Sequence, residues 1–255
     1  MKIIAITNQK GGVGKTTTAI NLAAGLGRKN YKVLLLDLDP QANSTTGLGI
    51  EKEQIKSDIF DVLIHNVKFD NAILPTTAKN VWIIPSSIQL AGAEIFLSSK
   101  TSNSEKIFQE HFDNLEYDFD FILFDCPPSL GLINRNVLSV CDEVLIPIQA
   151  EYYALEGLTQ LLSTISLVKK MFNSKLQIGG ILLTMFDNRV NLGQEVKEEV
   201  YKFFKEKVYK TMIPRNVTLA EAPSVGKSIF DYKSNCSGAK AYESLTEEFL
   251  KNQLN

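Results

Sequence analysis

Short apolar runs punctuate this chain, and each gives way to an amphipathic or polar stretch. Residues 2–7, 32–36, 81–85, 121–124, 143–148 and 177–184 are rich in Ile, Val, Leu and Phe, and 209–213, ending at Ile213, is a last candidate of the same kind. Runs of that length and composition read as buried strands. Between them, residues 18–26, 57–64, 155–171, 191–204 and 238–250 carry helical patterns. Leu158, Leu161, Leu162, Ile165 and Val168 fall at helical spacing, the mark of a core-facing stripe. The helix at 191–204 carries a lysine-rich outer face, and Ser86 reads as the cap of a helix running through Phe96. Residues 43–49 read as a polar, glycine-bearing loop. Strand and helix alternate throughout, which predicts an α/β fold: a mostly parallel twisted sheet with helices on both faces and right-handed crossovers. No linker, repeat or low-complexity stretch interrupts the pattern, so residues 1–255 are expected to form a single domain.

The first strand runs into KGGVGKTTT, and a helix follows. Strand, glycine loop, Lys-Thr, helix is the phosphate-cradling P-loop. Gly11, Gly12 and Gly14 lack a Cβ, so the backbone around Val13 can curl with its N–H groups inward. The helix N-terminus behind them carries partial positive charge. Lys15 adds a full charge at the β/γ-phosphates, and the Thr16 hydroxyl can ligate Mg²⁺. A dinucleotide loop of the G-x-G-x-x-G type is excluded, because Thr17 stands at the third glycine. The standard P-loop is not matched either: Gln9 takes the place of its first glycine, and a second lysine, Lys10, opens the loop.

Carboxylates follow at strand ends. Asp37 and Asp39 alternate on one side of the chain near the carboxyl end of the sheet, where open α/β sheets hold ligands. Asp125 ends the apolar run at 121–124, the pattern of a buried strand delivering one acid towards Mg²⁺. Cys126 beside it has no partner at cluster spacing.

Four ordered segments, KGGVGKTT, LDLDPQ, FDCPPSLG and IPRN with LAEAPSVGK, resemble the ParA/Soj family of chromosome-partitioning ATPases. The resemblance extends from residue 2 to about residue 240, and SSIQLAGAE at 86–94 and QAEYYALEG at 149–157 belong to it. It implies a P-loop NTPase fold and a slow, Mg²⁺-dependent ATPase acting as a nucleotide switch. In that family the extra lysine, here Lys10, marks a nucleotide-sandwich homodimer and joins Lys15 and Asp39 in catalysis. Residues 10–17 would hold the phosphates of ATP, Thr16, Asp37 and Asp125 the Mg²⁺, and Pro214 and Asn216 the adenine. Asp39 would orient the attacking water. The ATP dimer would bind double-stranded DNA without sequence preference, and a ParB/Spo0J-type centromere-binding protein would stimulate hydrolysis. On the DNA face the family pattern expects two arginines. One is Arg189, but the other position holds Thr218, so Lys197, Lys202, Lys205, Lys227 and Lys233 would have to supply the missing charge.

Composition adds limits. The 44% hydrophobic and 22% charged content is that of an ordinary globular protein. Cys126, Cys141 and Cys236 form no C-x-x-C pair, which argues against an iron–sulfur scaffold or a disulfide framework. No apolar run approaches a membrane span, and the N-terminus begins directly with a strand, so a cytoplasmic, nucleoid-associated protein without a signal peptide is expected. Net charge is −2, but residues 169–240 hold 13 Lys/Arg against 7 Asp/Glu, a mild basic bias. The rival reading is a MinD-type, membrane-cycling division-site ATPase. It needs a basic amphipathic C-terminal helix, whereas the tail pairs Tyr242, Leu245 and Phe249 with Glu243, Glu247 and Glu248.

Overall fold

The computed structural model describes residues 1–99, 107–151, 154–187 and 189–253. In chain order the elements are β1 (Lys2–Ile6), α1 (Lys15–Arg28), β2 (Val33–Asp37), α2 (Asn43–Gly47), α3 (Ile59–His65), α4 (Phe69–Ala72), β3 (Leu74–Pro75) and β4 (Val81–Ile84). They continue with α5 (Ala93–Ser99), α6 (Ile107–Asp113), β5 (Phe121–Asp125), α7 (Leu132–Val140), β6 (Glu143–Gln149), α8 (Ala154–Met171) and β7 (Gln177–Thr184). The last helices are α9 (Asn191–Phe204), α10 (Val217–Glu221), α11 (Ile229–Lys233) and α12 (Ser237–Gln253).

The strands form one seven-stranded sheet in the order β3-β4-β2-β5-β1-β6-β7. Every neighbouring pair is parallel except the β3–β4 edge, which is antiparallel and which the sequence pattern did not predict. Strand alternation divides the core between the two faces of the sheet. Leu34, Leu36, Ile122 and Phe124 point to one side, where Ile59, Val62, Val137, Leu161 and Val168 cover them. Ile4, Leu35 and Leu123 point to the other, against Leu22 and Leu26 of α1 and Leu245 and Phe249 of α12. The stripe on α8 is therefore core. Gly25 lets α1 and α12 approach closely, since a Cβ there would overlap the Thr246 hydroxyl.

Three sequence expectations are corrected. Residues 43–49 are not a loop: α2 forms there, although its flanking residue Ala42 has no side chain to cap it. The carboxylate of Asp37 substitutes, accepting from the Thr45 backbone N–H at 2.8 Å in the first turn. Ser86 caps no helix. It is buried, its N–H donates to Thr45 Oγ1 at 3.0 Å, and a 3₁₀ turn over Ile88–Gly92 leads into α5. Residues 209–213 run beside β7 without forming a continuous strand. Tyr209 and Ile213 donate their N–H groups to Ile181 and Leu183, but the amides of Lys210 and Thr211 turn away to the Glu248 carboxylate of α12, at 2.7 and 2.9 Å.

Candidate functional site

The carboxyl ends of the parallel strands converge on the loop after β1. Asn8 sets its start: the buried amide donates to the Pro147 carbonyl at 2.8 Å and accepts from the Lys10 N–H at 3.0 Å. Gly12 and Gly14 have φ of +75° and +84°, a region that residues with a Cβ rarely enter. Val13 is buried, and its carbonyl accepts from Thr184 Oγ1 at the end of β7 at 2.8 Å, which pins the crest of the loop to the sheet. A Cβ built on Gly11 or Gly12 would meet nothing within 4 Å, so open space lies over the curl. Lys15 is buried. Its Nζ donates to the Lys10 carbonyl at 3.1 Å, and burial lowers its pKa against the opposing pull of Asp125, Cys126 and Asp39. A cavity of about 250 Å³ opens here, lined by Gly11, Lys15, Thr16, Asp39, Asn43 and Pro128 among others.

Behind the cavity, Asp37 and Asp125 are register partners on β2 and β5, and both are wholly buried. Asp37 accepts from the Asp39 N–H on one oxygen, and from the N–H and hydroxyl of Thr45 on the other. Burial and the neighbouring Asp125 charge push its pKa up to about 7. Asp125 accepts the Ser44 hydroxyl on Oδ2 at 2.7 Å, while its buried Oδ1 has no hydrogen-bond partner among the described residues. Burial raises its pKa to about 6, against the pull of the Ser44 and Thr16 hydroxyls and the Lys15 charge. A buried carboxylate oxygen without a partner, on an acid that the Thr16 hydroxyl and the Lys15 charge reach, is chemistry that suits a hydrated divalent cation. Asp39 faces the cavity, with Oδ1 holding the Gln41 N–H at 2.9 Å. Burial drives the Cys126 thiol far above its usual range, so it is inert. Asp37 and Asp125 stand as a pair: no group of three or more His, Cys, Asp or Glu side chains placed to hold a metal ion is found among the described residues.

A second cavity, about 330 Å³, adjoins the first. Its wall is mainly apolar, with Ile213, Pro214, Leu219 and Tyr242 on one side and Gly14 and Thr17 on the other. Asn216 lines it too, but its amide is engaged. Oδ1 accepts from the Thr218 N–H, capping α10, and Nδ2 donates to Ser237 Oγ at 2.7 Å.

Lys10 behaves differently from Lys15. Its ammonium swings aside to Glu151 Oε2 at 2.6 Å, a half-exposed ion pair. Tyr152 and Tyr153 of the same segment lie outside the described residues. The basic residues expected on a DNA face are spread out. Arg189 is 88% exposed, yet its guanidinium forks onto Asp187 through two hydrogen bonds. Lys197 sits 5.8 Å over the Phe186 ring, so it shares that corner with Arg189. Lys202 is exposed on α9 about 140° round the helix from Lys197. Lys205, Lys227 and Lys233 are exposed elsewhere, and Thr218 is half-buried at the start of α10. Sequence reasoning missed Arg215, an exposed cation whose charge reaches Asp187. It also missed Asn43, Ser44 and Thr45. Their one available signal was a run of polar residues directly after the acids of LDLDPQ.

A family model described as an AAA domain matches residues 1–178. The sporulation initiation inhibitor protein Soj of Bacillus subtilis is 52% identical over 251 residues, covering 98% of this chain and 99% of that protein. The chromosome partitioning protein ParA of Myxococcus xanthus is 46% identical over 250 residues, covering 98% of this chain and 88% of that protein. Among solved structures, a cobyrinic acid a,c-diamide synthase from Mycobacterium smegmatis with bound ADP and magnesium superposes with a TM-score of 0.86. It is 32% identical, and the match covers 100% of this chain and 96% of that one.

Proposed function

Because the chain belongs to the Soj/ParA family of chromosome-partitioning ATPases, we propose that it is a nucleotide-driven switch whose ATP state is a DNA-binding homodimer. The observation that carries this reading is the division of labour between two lysines on one loop. Lys15 is folded into the phosphate cavity, whereas Lys10 is held at its mouth by Glu151.

The N–H groups of residues 11–17 cradle the phosphates of ATP, and Lys15 offsets their charge. The Thr16 hydroxyl and Asp125 Oδ1 would hold Mg²⁺, which supplies positive charge to the β- and γ-phosphate oxygens when bound. Asp37 supports that shell from behind, by fixing Thr45 and the turn at Asp39. Asp39 orients the attacking water, and the adenine enters the apolar cavity against Pro214 and Asn216. The chemistry is slow, since one carboxylate positions the nucleophile without a strong base.

Lys10 leaves Glu151 and reaches the phosphates of a second copy, so the dimer forms only with ATP. The dimer then presents Arg189, Arg215 and Lys197, together with Lys202 and Lys227, to the backbone of double-stranded DNA. Phosphate contacts of this kind carry no sequence information. A ParB/Spo0J-type protein accelerates hydrolysis and releases the DNA, and the protein works in the cytoplasm on the nucleoid. Residues 1–255 act together as one domain.

The MinD-type reading finds no support in α12. Tyr242, Leu245 and Phe249 are packed inside, and Glu243 and Glu247 face outward, leaving no apolar face for lipid. No helix among the described residues is long and apolar enough to cross a membrane.

Light scattering on the purified chain tests the switch. A monomer with ADP and a dimer with a non-hydrolysable ATP analogue are expected. A monomer with both nucleotides overturns it.

A further inference from the structure

The residues directly after the acids of β2 contain a clamp that the phosphate-loop motif does not predict. On α2, Thr45 holds Asp37 through both its N–H and its hydroxyl, at 2.8 and 2.7 Å. The adjacent Ser44 holds Asp125 through its hydroxyl at 2.7 Å. Asp37 and Asp125 are register neighbours on parallel strands, so one short helix straddles both carboxylates. Ser44 is 0% exposed and Thr45 1%, so water does not compete for either bond. Asp125 is thereby left with unequal oxygens. Oδ2 is occupied by Ser44, and Oδ1 is buried without a hydrogen-bond partner among the described residues. A carboxylate with no donor on either oxygen could rotate about its last torsion, which is broad and roughly two-fold. A donor fixed on one oxygen removes that freedom and leaves the other free for a cation, on an acid that the Thr16 hydroxyl and the Lys15 charge both reach.

We propose that Ser44 is a positioning residue for Asp125: its hydroxyl aims Oδ1 at the cation that accompanies the nucleotide and thereby sets the affinity for Mg²⁺. This rests on the reading of Thr16 and Asp125 as the Mg²⁺-holding pair. It assigns a metal-affinity role to a residue that does not line the phosphate cavity. Partners that orient a metal-holding carboxylate typically change metal affinity 10- to 100-fold. They leave metal-free nucleotide binding largely alone, because the phosphate-loop N–H groups and Lys15 do not depend on them.

The test measures binding of fluorescent ADP across a Mg²⁺ titration in wild type, Ser44→Ala, Asp125→Ala and the double variant, with thermal melting of each metal-free protein alongside. Wild type is expected to tighten as Mg²⁺ rises. Ser44→Ala should need about tenfold more Mg²⁺ for the same tightening, with metal-free ADP affinity unchanged. In the Asp125→Ala background, removing Ser44 should change nothing further, since there is no carboxylate left to aim. If Ser44→Ala melts lower but tightens at the wild-type Mg²⁺ concentration, the hydroxyl only satisfies a buried acid and the proposal is overturned. An additive effect of Ser44→Ala in the absence of Asp125 also overturns it. Should Ser44→Ala fail to fold, Ser44→Thr, which keeps the donor, is read in the same titration. A response near wild type supports the proposal, and a large loss of Mg²⁺ sensitivity refutes it. If wild type itself does not respond to Mg²⁺, the nucleotide-site reading fails and takes this inference with it, an outcome distinct from the failure of Ser44 alone.

Discussion

Two lysines five positions apart have opposite surroundings, and their variants should differ accordingly. Lys15 is buried beside carboxylates and a backbone carbonyl, where the low dielectric strengthens each interaction its ammonium makes although burial itself lowers its pKa. Lys15→Ala is expected to abolish nucleotide binding, and undiminished ATP affinity by calorimetry would remove the phosphate-loop assignment. Lys10 is half-exposed, and its pair with Glu151 is of the kind worth about 0–1 kcal/mol. That is too little to lock the lysine away from a second copy. Lys10→Ala should therefore block the ATP-dependent dimer while leaving ADP binding by the monomer intact. Glu151→Gln should let the dimer form at somewhat lower ATP-analogue concentration, at most about fivefold, and a higher requirement counts against the release of Lys10. Asp39 lines the phosphate cavity, where its Oδ1 accepts the nearby Gln41 N–H. Asp39→Ala should accumulate the ATP-bound dimer with little phosphate release, whereas wild-type turnover would move the water-orienting role elsewhere.

At the scale of elements, α12 does more than close the fold. Its Leu245 and Phe249 are buried against α1 and the sheet. Its Glu248 carboxylate collects the Lys210 and Thr211 amides, which would otherwise be spare donors beside β7. That grip holds the segment leading to Ile213, Pro214 and Asn216, which wall the apolar cavity. Glu248→Ala removes two hydrogen bonds to a charged acceptor, each worth about 1.5–3 kcal/mol at most and less where solvent reaches. The expected result is a lower Tm and weaker ATP affinity, with the Mg²⁺ response retained. Unchanged nucleotide affinity in this variant would mean that the wall is held by other interactions. A second element, α2, is too short to be stable by propensity. It exists because the acids of β2 and β5 accept its polar groups.

For the whole molecule, the question is whether the basic corner suffices for DNA. Arg189 is neutralised locally by its fork onto Asp187, and Arg215 lies close enough to influence the same acid. DNA phosphates must compete with Asp187 for Arg189, so its contribution should be smaller than that of a free arginine. Every phosphate that a protein cation neutralises steepens the salt dependence of binding by roughly 0.9 in logarithmic slope. A salt titration with the ATP analogue is expected to give a modest slope for wild type and a shallower one for Arg189→Ala. Thr218→Arg should steepen it, since that position lies in the first turn of α10 beside Arg215 and Asn216. No DNA binding by wild type at low salt would remove the DNA-bound state from the proposed cycle. If Arg189→Ala binds like wild type, Arg215 and the lysines carry the surface.

Where the determining interactions are local, the chain could be read directly. Six of the seven expected strands, the long helices α1, α8, α9 and α12, and the curl of the phosphate loop follow from apolar periodicity and glycine placement within a few residues. Positive φ at Gly12 and Gly14 is a property of those residues and their neighbours. Other features depend on partners far along the chain. Ser44 meets Asp125 across 81 positions, and Glu248 meets Thr211 across 37. These side-chain bonds turned a polar stretch into α2 and kept residues 209–213 from completing an eighth strand. The antiparallel edge β3 is two residues long, too short to leave a periodic signal. Sequence thus determined which segments could be buried and which loop could hold a phosphate, because hydrophobic pattern and backbone freedom are written residue by residue. Tertiary structure alone decided which buried polar groups satisfy one another, because a buried donor or acceptor must find a partner and nothing along the chain says where it lies.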